Sequence, residues 1–449
     1  MEPAAHRYSW YIVLVLMVCF TCSFIDRQIL SLLVGPIKAD LHLSDTQFGL
    51  LQGFAFAVFY TLVGIPLGRW ADVGNRRTMI AIGTAVWSVM TTLSAVARSF
   101  PSLFLARIGV GIGEATLSPA AFSMLSDSFS RERLSKAISV YTMGIFIGSG
   151  LALIIGGMVV QATSSMGDVT LPLFGTIAPW RLTFLIVGLP GLLIALWVWS
   201  LREPLRKSLL RGADGEVSKV SFREATQQIG SRWASFIPLA LGMVFQSMVV
   251  FAFTAWAPAY FQRVHHWSPQ LTGQWLGIII LTFGCLGMYV GGSLADHWRR
   301  RGHADSGIRV LLISAIGVGL CFVPAFLLKD PVWTLILLAP ALFFEGMPIG
   351  SAFASVQLIF PNQARGAAAA LFMFILNLGG ISLGPLLPAL FTDRLFRSEL
   401  RIGESLSLTM AIASVSMLVL FTLARAPYRR HYHDLEARLA DPAASSAHG

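Results

Sequence analysis

Five charged residues stand inside otherwise continuous apolar stretches of this 449-residue chain: Asp26, Arg27, Arg107, Glu114 and Glu345. Each would cost roughly 2.5–3.5 kcal/mol at the centre of a lipid-facing helix, so each must face a cavity or a partner. A carboxylate held near a cation away from water can exchange a proton, because burial disfavours its charge while the cation favours it. A guanidinium fork can grip a carboxylate in one state and an anionic substrate in another. All five are therefore candidates for proton coupling and substrate contact. Helical rise puts Asp26 about 10 Å from the far end of its span. Arg107 lies at a comparable depth, with Glu114 two turns further down the same face. The expected arrangement is a ladder, Asp26–Arg107–Glu114, with Arg27 turned about 100° away toward a different partner. Gly346 and Pro348 follow Glu345, so irregular backbone is expected there.

The elements that must position these residues are membrane helices. Hydrophobic residues make up 55% of the chain and charged residues 12%, and mean hydropathy is +0.69. A soluble domain carries roughly 25% charged residues. With about 20 apolar residues needed per crossing, twelve spans are expected, near 10–34, 46–68, 78–98, 102–125, 133–162, 180–201, 233–261, 270–294, 308–328, 332–358, 363–391 and 403–424. The runs are continuously apolar, without the period-two alternation of strands. Arg7 alone precedes the first run, which holds Asp26-Arg27 and no small-residue cleavage site, so it reads as a retained helix rather than a signal peptide. Cys19, Cys22, Cys285 and Cys321 fall within spans without metal-ligand spacing, and are expected as buried core without a disulfide.

Charge sets the orientation. With the N-terminus cytoplasmic, 23 of the 33 Lys and Arg fall on the cytoplasmic side, eight outside and two within spans. That asymmetry places both termini in the cytoplasm. The net charge of +10 then reflects topology and anionic membrane lipid rather than nucleic-acid binding.

A short pattern occurs twice. Gly68-x-x-x-Asp72-x-x-x-Arg76-Arg77 recurs 224 residues on as Gly292-x-x-x-Asp296-x-x-x-Arg300-Arg301. A repeat at half-length indicates duplicated halves, and in a membrane chain it indicates a secondary transporter with its site between them. The division expected is a six-helix bundle at 1–201, a cytoplasmic linker at 202–232, a second bundle at 233–425 and a cytoplasmic tail at 426–449. In the linker, Ser221–Ile229 is amphipathic. In the tail, Tyr428, Tyr432, Leu435 and Leu439 share a face and suggest a short interfacial helix, followed by polar disorder from Pro442. Gly68 and Gly292 would permit close helix contact. Asp72 and Asp296 would accept from a helix N-terminus or an Arg, with Arg76, Arg77, Arg300 and Arg301 as partners, holding an inner gate shut. Gln52, Tyr60, Tyr141, Gln246, Phe253, Trp256, Gln357 and Asn377 are candidates to line the cavity.

Gly68-Arg-Trp-Ala-Asp72-Val-Gly74-Asn-Arg76-Arg77 resembles the loop signature between the second and third helices of the major facilitator superfamily. Arg107-Ile-Gly-Val-Gly111-Ile-Gly113-Glu114 resembles its fourth-helix motif. Phe24-Ile-Asp26-Arg27, Gly113-Glu114-Ala115, Gly148-Ser149-Gly150 and Trp256-Ala257-Pro258 look like the spinster branch, and the resemblance runs from Tyr8 to Ala426. In the second copy of the loop signature Trp298 replaces the usual Gly. The fifth span has Gly148-Ser149 where antiporters of the superfamily often carry Gly-Pro.

The resemblance implies an all-α polytopic membrane protein, with twelve transmembrane helices in two pseudo-symmetric six-helix bundles. It implies alternating access, coupled to protons, for a lysolipid-like or other amphipathic anionic substrate. The partners expected are that substrate, protons and membrane lipids, with no nucleic acid, no cofactor and no metal. A monomer in a bacterial inner membrane is expected. A proton-linked symporter of small organic acids is the alternative, with a passive channel or ligand sensor behind it. An enzyme is not expected, since the amino-terminal spans hold no mid-span His and no nucleophile–base set.

Overall fold

The computed structural model describes residues 3–129, 131–171, 175–204, 206, 230–360 and 362–440; within these, the Asp72 side chain is among the few that are not described. The amphipathic stretch expected at Ser221–Ile229 and the disorder expected from Pro442 lie outside the described residues.

Twelve helical stretches among the described residues are long and apolar enough to cross a membrane, in the number and order expected. The first six are Arg7–Leu32, Asp45–Ala71, Arg76–Val96, Phe100–Ser128, Val140–Met166 and Pro179–Trp199. The second six are Trp233–Val264, Pro269–Arg300, Ser306–Ala325, Pro331–Ile359, Ala367–Phe396 and Glu399–Ala437. Lipid supplies no hydrogen bonds, so an apolar run of this length satisfies its backbone internally as helix. Polar residues mark the starts. Ser44 and Gln47 form a capping box at the second span, and Asn75 accepts from the Thr78 amide at the third. Ser268 and Asp330 cap the eighth and tenth, each followed by Pro at the first helical position. A short hairpin pairs Val169–Leu171 with Gly175–Ile177. It lies between the fifth and sixth spans, so the spans themselves are helical.

Two spans break beside a buried carboxylate. The fourth divides into Phe100–Glu114 and Leu117–Ser128, and the tenth into Pro331–Gly346 and Pro348–Ile359. After Glu345 the helix is interrupted at Met347, which keeps helical dihedrals (φ −57°, ψ −40°), so the irregularity expected there is slight; Glu114 stands at the corresponding interruption of the first half.

The chain packs as two compact units. One holds spans one to six with Ala252–Leu281 and Pro385–Ser405; the other holds the seventh span up to Phe251, Thr282–Gly384 and the twelfth helix from Leu406. The divisions 1–201 and 233–425 are divisions of sequence; packing places parts of the seventh, eighth and eleventh spans with the amino-terminal helices.

In the first unit, glycines carry the fourth span onto its neighbours. A Cβ on Gly111 would lie 2.8 Å from the Phe56 carbonyl oxygen of the second span, and one on Gly113 would lie 2.7 Å from the Gly83 carbonyl oxygen of the third. Small residues allow this approach. In the second unit, Gly287, Gly291 and Gly346 do the same, each meeting a carbonyl oxygen within 2.5 Å of such a Cβ. Hydroxyls add cross-helix bonds there, Ser314 to the Phe344 carbonyl at 2.7 Å and Ser414 to the Ala315 carbonyl at 2.7 Å.

The tail is not a separate interfacial helix. One helix runs from Ile402 to Ala440, and its polar end packs on the second unit. Tyr428 is buried and donates to the Ser355 carbonyl at 3.1 Å, and His431 Nδ1 lies 2.7 Å from the Ser235 hydroxyl. The stripe expected at an interface meets protein at Tyr428, because the helix of the twelfth span continues through Pro427 into the tail.

Candidate transport site

The first unit brings Asp26, Arg27, Arg107 and Glu114 together. The glycines of the fourth span turn Glu114 toward the second span, where Phe56 and Tyr60 stack at 5.2 Å. Arg27 reaches into the same space. Its guanidinium carbon lies 4.2 Å from the Phe56 ring centroid, 5.2 Å from Phe24 and 6.0 Å from Tyr60, and Nη2 pairs with Glu114 Oε2. The side chains are 17% and 2% exposed. Aromatic faces hold the cation over apolar surface and leave its fork aimed at the carboxylate.

This arrangement corrects the expected ladder. Glu114 pairs with Arg27, and Arg107, although near enough to feel the charge of both acids, makes no direct ion pair with either among the described residues. Arg107 is 0% exposed. Its Nη1 lies 3.5 Å from the Asp26 carbonyl oxygen, a weak contact, and its Nε and Nη2 have no hydrogen-bond partner among the described residues. Glu114 Oε1 also has none. Asp26 is buried beside Thr91 and Trp87 of the third span. Spacing along one helix placed Arg107 and Glu114 on one face correctly, but it carried no information about Arg27, whose partner depends on where the second span lies.

The remaining candidates are dispersed. Glu345 is buried in the second unit, where its backbone carbonyl accepts from Gln246 Nε2 at 2.9 Å. Gln357 is exposed and Asn377 half-buried in that unit. Tyr141 is buried and stacks on Phe20 at 4.9 Å. Phe253 and Trp256 are both buried in the first unit. Trp256 donates to the Pro385 carbonyl at 2.7 Å and packs on Phe48, so it is committed to a packing contact and does not line open space. Gln52 Nε2 lies 3.5 Å from the Ala255 carbonyl oxygen.

At the near ends of the spans, the first copy of the repeated pattern has acceptors the sequence did not single out. Arg76 is buried. It pairs with Asp127 at the end of the fourth span, donates from Nε to Glu203 at 2.7 Å, and donates from Nη1 and Nη2 to the Ser123 and Pro204 carbonyls at 3.1 and 2.8 Å. The backbone amide of Arg77 donates to Glu203 at 2.9 Å. Asp127 and Glu203 stand at span ends, where acidic residues are ordinary, so no sequence signal marked them. A Cβ at Gly68 or Gly292 would meet open space; the close approaches are made at Gly111, Gly113, Gly287 and Gly291 instead.

The second copy keeps the residues without equivalent bonds. The Asp296 side chain is 66% exposed, with Arg299 at 3.7 Å, and Arg300 and Arg301 are exposed. The ion pairs of this end centre on Asp305, which accepts from Arg425 Nε at 2.6 Å and Arg309 Nε at 3.1 Å. Burial pushes the Asp305 carboxyl up, but the Arg425 hydrogen bond and the charges of Arg309 and Arg425 outweigh it and hold the carboxyl below its ordinary value of 3.8. A lowered carboxylate stabilises the fold above that value and loses its contribution as pH falls through the folded-state value. Asp305→Asn is therefore expected to lower thermal stability at pH 7 by about 1 kcal/mol, a modest figure because Arg425 is partly exposed. The difference from the unsubstituted protein should vanish in detergent melts well below pH 3.8. A gap that persists at low pH would contradict the assignment.

With this geometry in place, comparison with known proteins is decisive at the level of family. The sequence profile of the Major Facilitator Superfamily matches residues 16–385. The chain belongs to that superfamily. An MFS-type efflux pump of Mycolicibacterium smegmatis is 30% identical over 436 residues, 94% of this chain and 94% of the pump. Protein spinster homolog 1 of Xenopus tropicalis is 27% identical over 310 residues, 66% of this chain and 56% of that protein. A bacterial homologue of the human lysosomal transporter spinster, solved inward-facing and unoccupied, superposes with a TM-score of 0.77 at 26% identity, covering 97% of this chain and 98% of its own. The protein is thus a spinster-like transporter of the superfamily, an integral multi-pass membrane protein with its all-α twelve-helix fold.

Proposed function

We propose that this transporter works by alternating access, coupled to protons, and carries an amphipathic anion of lysolipid type. The observation that carries the reading is Arg107: a buried guanidinium with two unused nitrogens beside Asp26, Arg27 and Glu114. Unused donors on a buried cation are costly unless something accepts from them, and a phosphate or carboxylate headgroup matches a guanidinium fork. Glu114, paired with Arg27, is the proton carrier. When it is protonated its hold on Arg27 weakens, and Arg27 becomes a second cation for the headgroup. When the anion leaves, Arg27 and the deprotonated Glu114 pair again. Glu345 is a second buried carboxylate for coupling. The loops Gly68–Arg77 and Gly292–Arg301 form the inner gate, with Arg76 as the anchor of the first. The transporter acts as a monomer in a bacterial inner membrane, with both termini cytoplasmic.

Proteoliposome uptake of an anionic lysophospholipid tests this reading. Uptake is expected to accelerate when a pH gradient is imposed. Arg107→Lys, which keeps the charge but loses the fork, is expected to raise the half-saturating concentration about tenfold, the value of one charge-assisted hydrogen bond. Uptake of small carboxylates with none of the lysophospholipid would overturn the substrate class and favour an organic-acid symporter. Uptake indifferent to the gradient would overturn the coupling.

A further inference from the structure

At the ends of the spans opposite the termini, four charges from four segments meet within the first unit. Asp45, at the start of the second span, is 0% exposed. It accepts from Arg263 twice, Nη1 to Oδ2 and Nη2 to Oδ1, both at 2.9 Å, and it pairs with Lys38 Nζ. Glu399, 59% exposed, accepts from Lys38 Nζ at 2.7 Å and has Arg263 Nη2 at 3.5 Å. Lys38 and Asp45 belong to the amino-terminal half of the sequence, Arg263 and Glu399 to the carboxy-terminal half. Each half thus contributes one cation and one anion, and every cation touches both anions.

Other contacts join the same segments. Asp393 Oδ2 accepts from the Thr46 amide at 2.6 Å, an acidic group at a helix start. Trp256 bonds the Pro385 carbonyl, and a Cβ on Gly49 would lie 2.7 Å from that oxygen. The fifth and eighth spans cross at Gly150, Gly157, Gly273 and Gly277, where added Cβ atoms would lie 2.1–3.0 Å from backbone oxygens of the partner helix.

We propose that Lys38, Asp45, Arg263 and Glu399 are the latch of the outer gate, and that it opens by exchange of partners. Arg263–Asp45 and Lys38–Glu399 join the two halves, and these separate. Lys38–Asp45 and Arg263–Glu399 lie within a half, and these remain. The main cost of breaking a buried ion pair is the charge left uncompensated. A square of four charges escapes that cost, because each half leaves with a neutral pair of its own. A lone Arg263–Asp45 pair could not open this way, which accounts for Lys38 standing against a carboxylate that Arg263 already holds in bidentate geometry.

The test compares two double variants with the same net charge, in both of which Asp45 keeps one cation. Arg263→Met with Glu399→Gln leaves only the within-half pair Lys38–Asp45. Lys38→Met with Glu399→Gln leaves the joining pair Arg263–Asp45. Electron–electron resonance distances are read between spin labels at His42 and Leu400, in full-length protein in nanodiscs with the four native cysteines replaced. The first variant is expected to raise the long-distance population about tenfold, and the second to stay within about twofold of the parent. Equal shifts in the two variants, or no shift in either, would overturn the latch. The readout is a distance and not transport, so a wrong substrate or coupling residue leaves it unaffected.

Discussion

Glu114→Gln is expected to abolish proton-driven accumulation while leaving substrate exchange at equal pH intact. Glutamine keeps the length of the side chain and an oxygen for Arg27, but it cannot release a proton or change charge. Accumulation requires one proton-carrying group to alternate between states, whereas exchange returns the transporter to the same protonation state on each side. Arg27 loses its ionic partner in this variant, yet it keeps the faces of Phe56, Phe24 and Tyr60 and remains 17% exposed. The substitution should therefore cost little in folding, cation–π contacts alone contributing about 0.5–2 kcal/mol. Proteoliposome uptake with and without a pH gradient, beside counterflow at matched pH, reads both halves of the expectation. A Glu114→Gln protein that still responds fully to the gradient would transfer the coupling role to Asp26 or Glu345.

Arg76→Ala should be the most destabilising single change at the near ends of the spans. It removes the partner of Asp127, which is itself buried, and breaks the links to Glu203, Ser123 and Pro204. Removing one member of a buried pair costs about 3–5 kcal/mol, because the other charge is left uncompensated. Glu203 is partly exposed and adds less. Arg76→Lys should fall between, since an ammonium cannot reproduce the planar fork that serves several acceptors at once. Arg77→Ala should cost less, about 1 kcal/mol: it loses the side-chain bond to the Leu201 carbonyl and the contact with Trp199, but the bond to Glu203 is made by the backbone amide and survives, and no buried charge is stranded. Thermal unfolding of purified protein in one detergent ranks the three. Arg76→Ala as stable as Arg77→Ala would show that Asp127 is satisfied by other means.

The repeated pattern shows what spacing can and cannot convey. Arg76 and Arg300 occupy equivalent positions in the sequence, yet Arg76 is buried among acceptors while Arg300 is exposed. The difference lies outside the pattern. Asp127 and Glu203 come to Arg76 from other spans, and in the second unit the comparable role passes to Asp305 and Arg425. Phe253 and Trp256 make the same point about the cavity. Aromatic residues in a span can line a pocket or fill a core, and the Pro385 carbonyl and Phe48 decide that Trp256 fills a core.

Helix number and the intramembrane charges were legible in the linear chain, because each rests on a local cause. An apolar run longer than about 20 residues must satisfy its own backbone in lipid whatever its neighbours are, and a charge within such a run must find a cavity or a partner. The slight helix interruption after Glu345 was readable for the same reason, from Gly346 and Pro348. Which charge meets which was decided in three dimensions. Arg27 rather than Arg107 holds Glu114 because Gly111 and Gly113 seat the fourth span against the carbonyls of Phe56 and Gly83, bringing Glu114 to the aromatic faces that hold Arg27. Asp45 collects Lys38 from seven residues away and Arg263 from 218. A guanidinium reaches any acceptor that packing brings within hydrogen-bond distance, and that packing depends on how closely separate helices approach, which no spacing within one helix encodes.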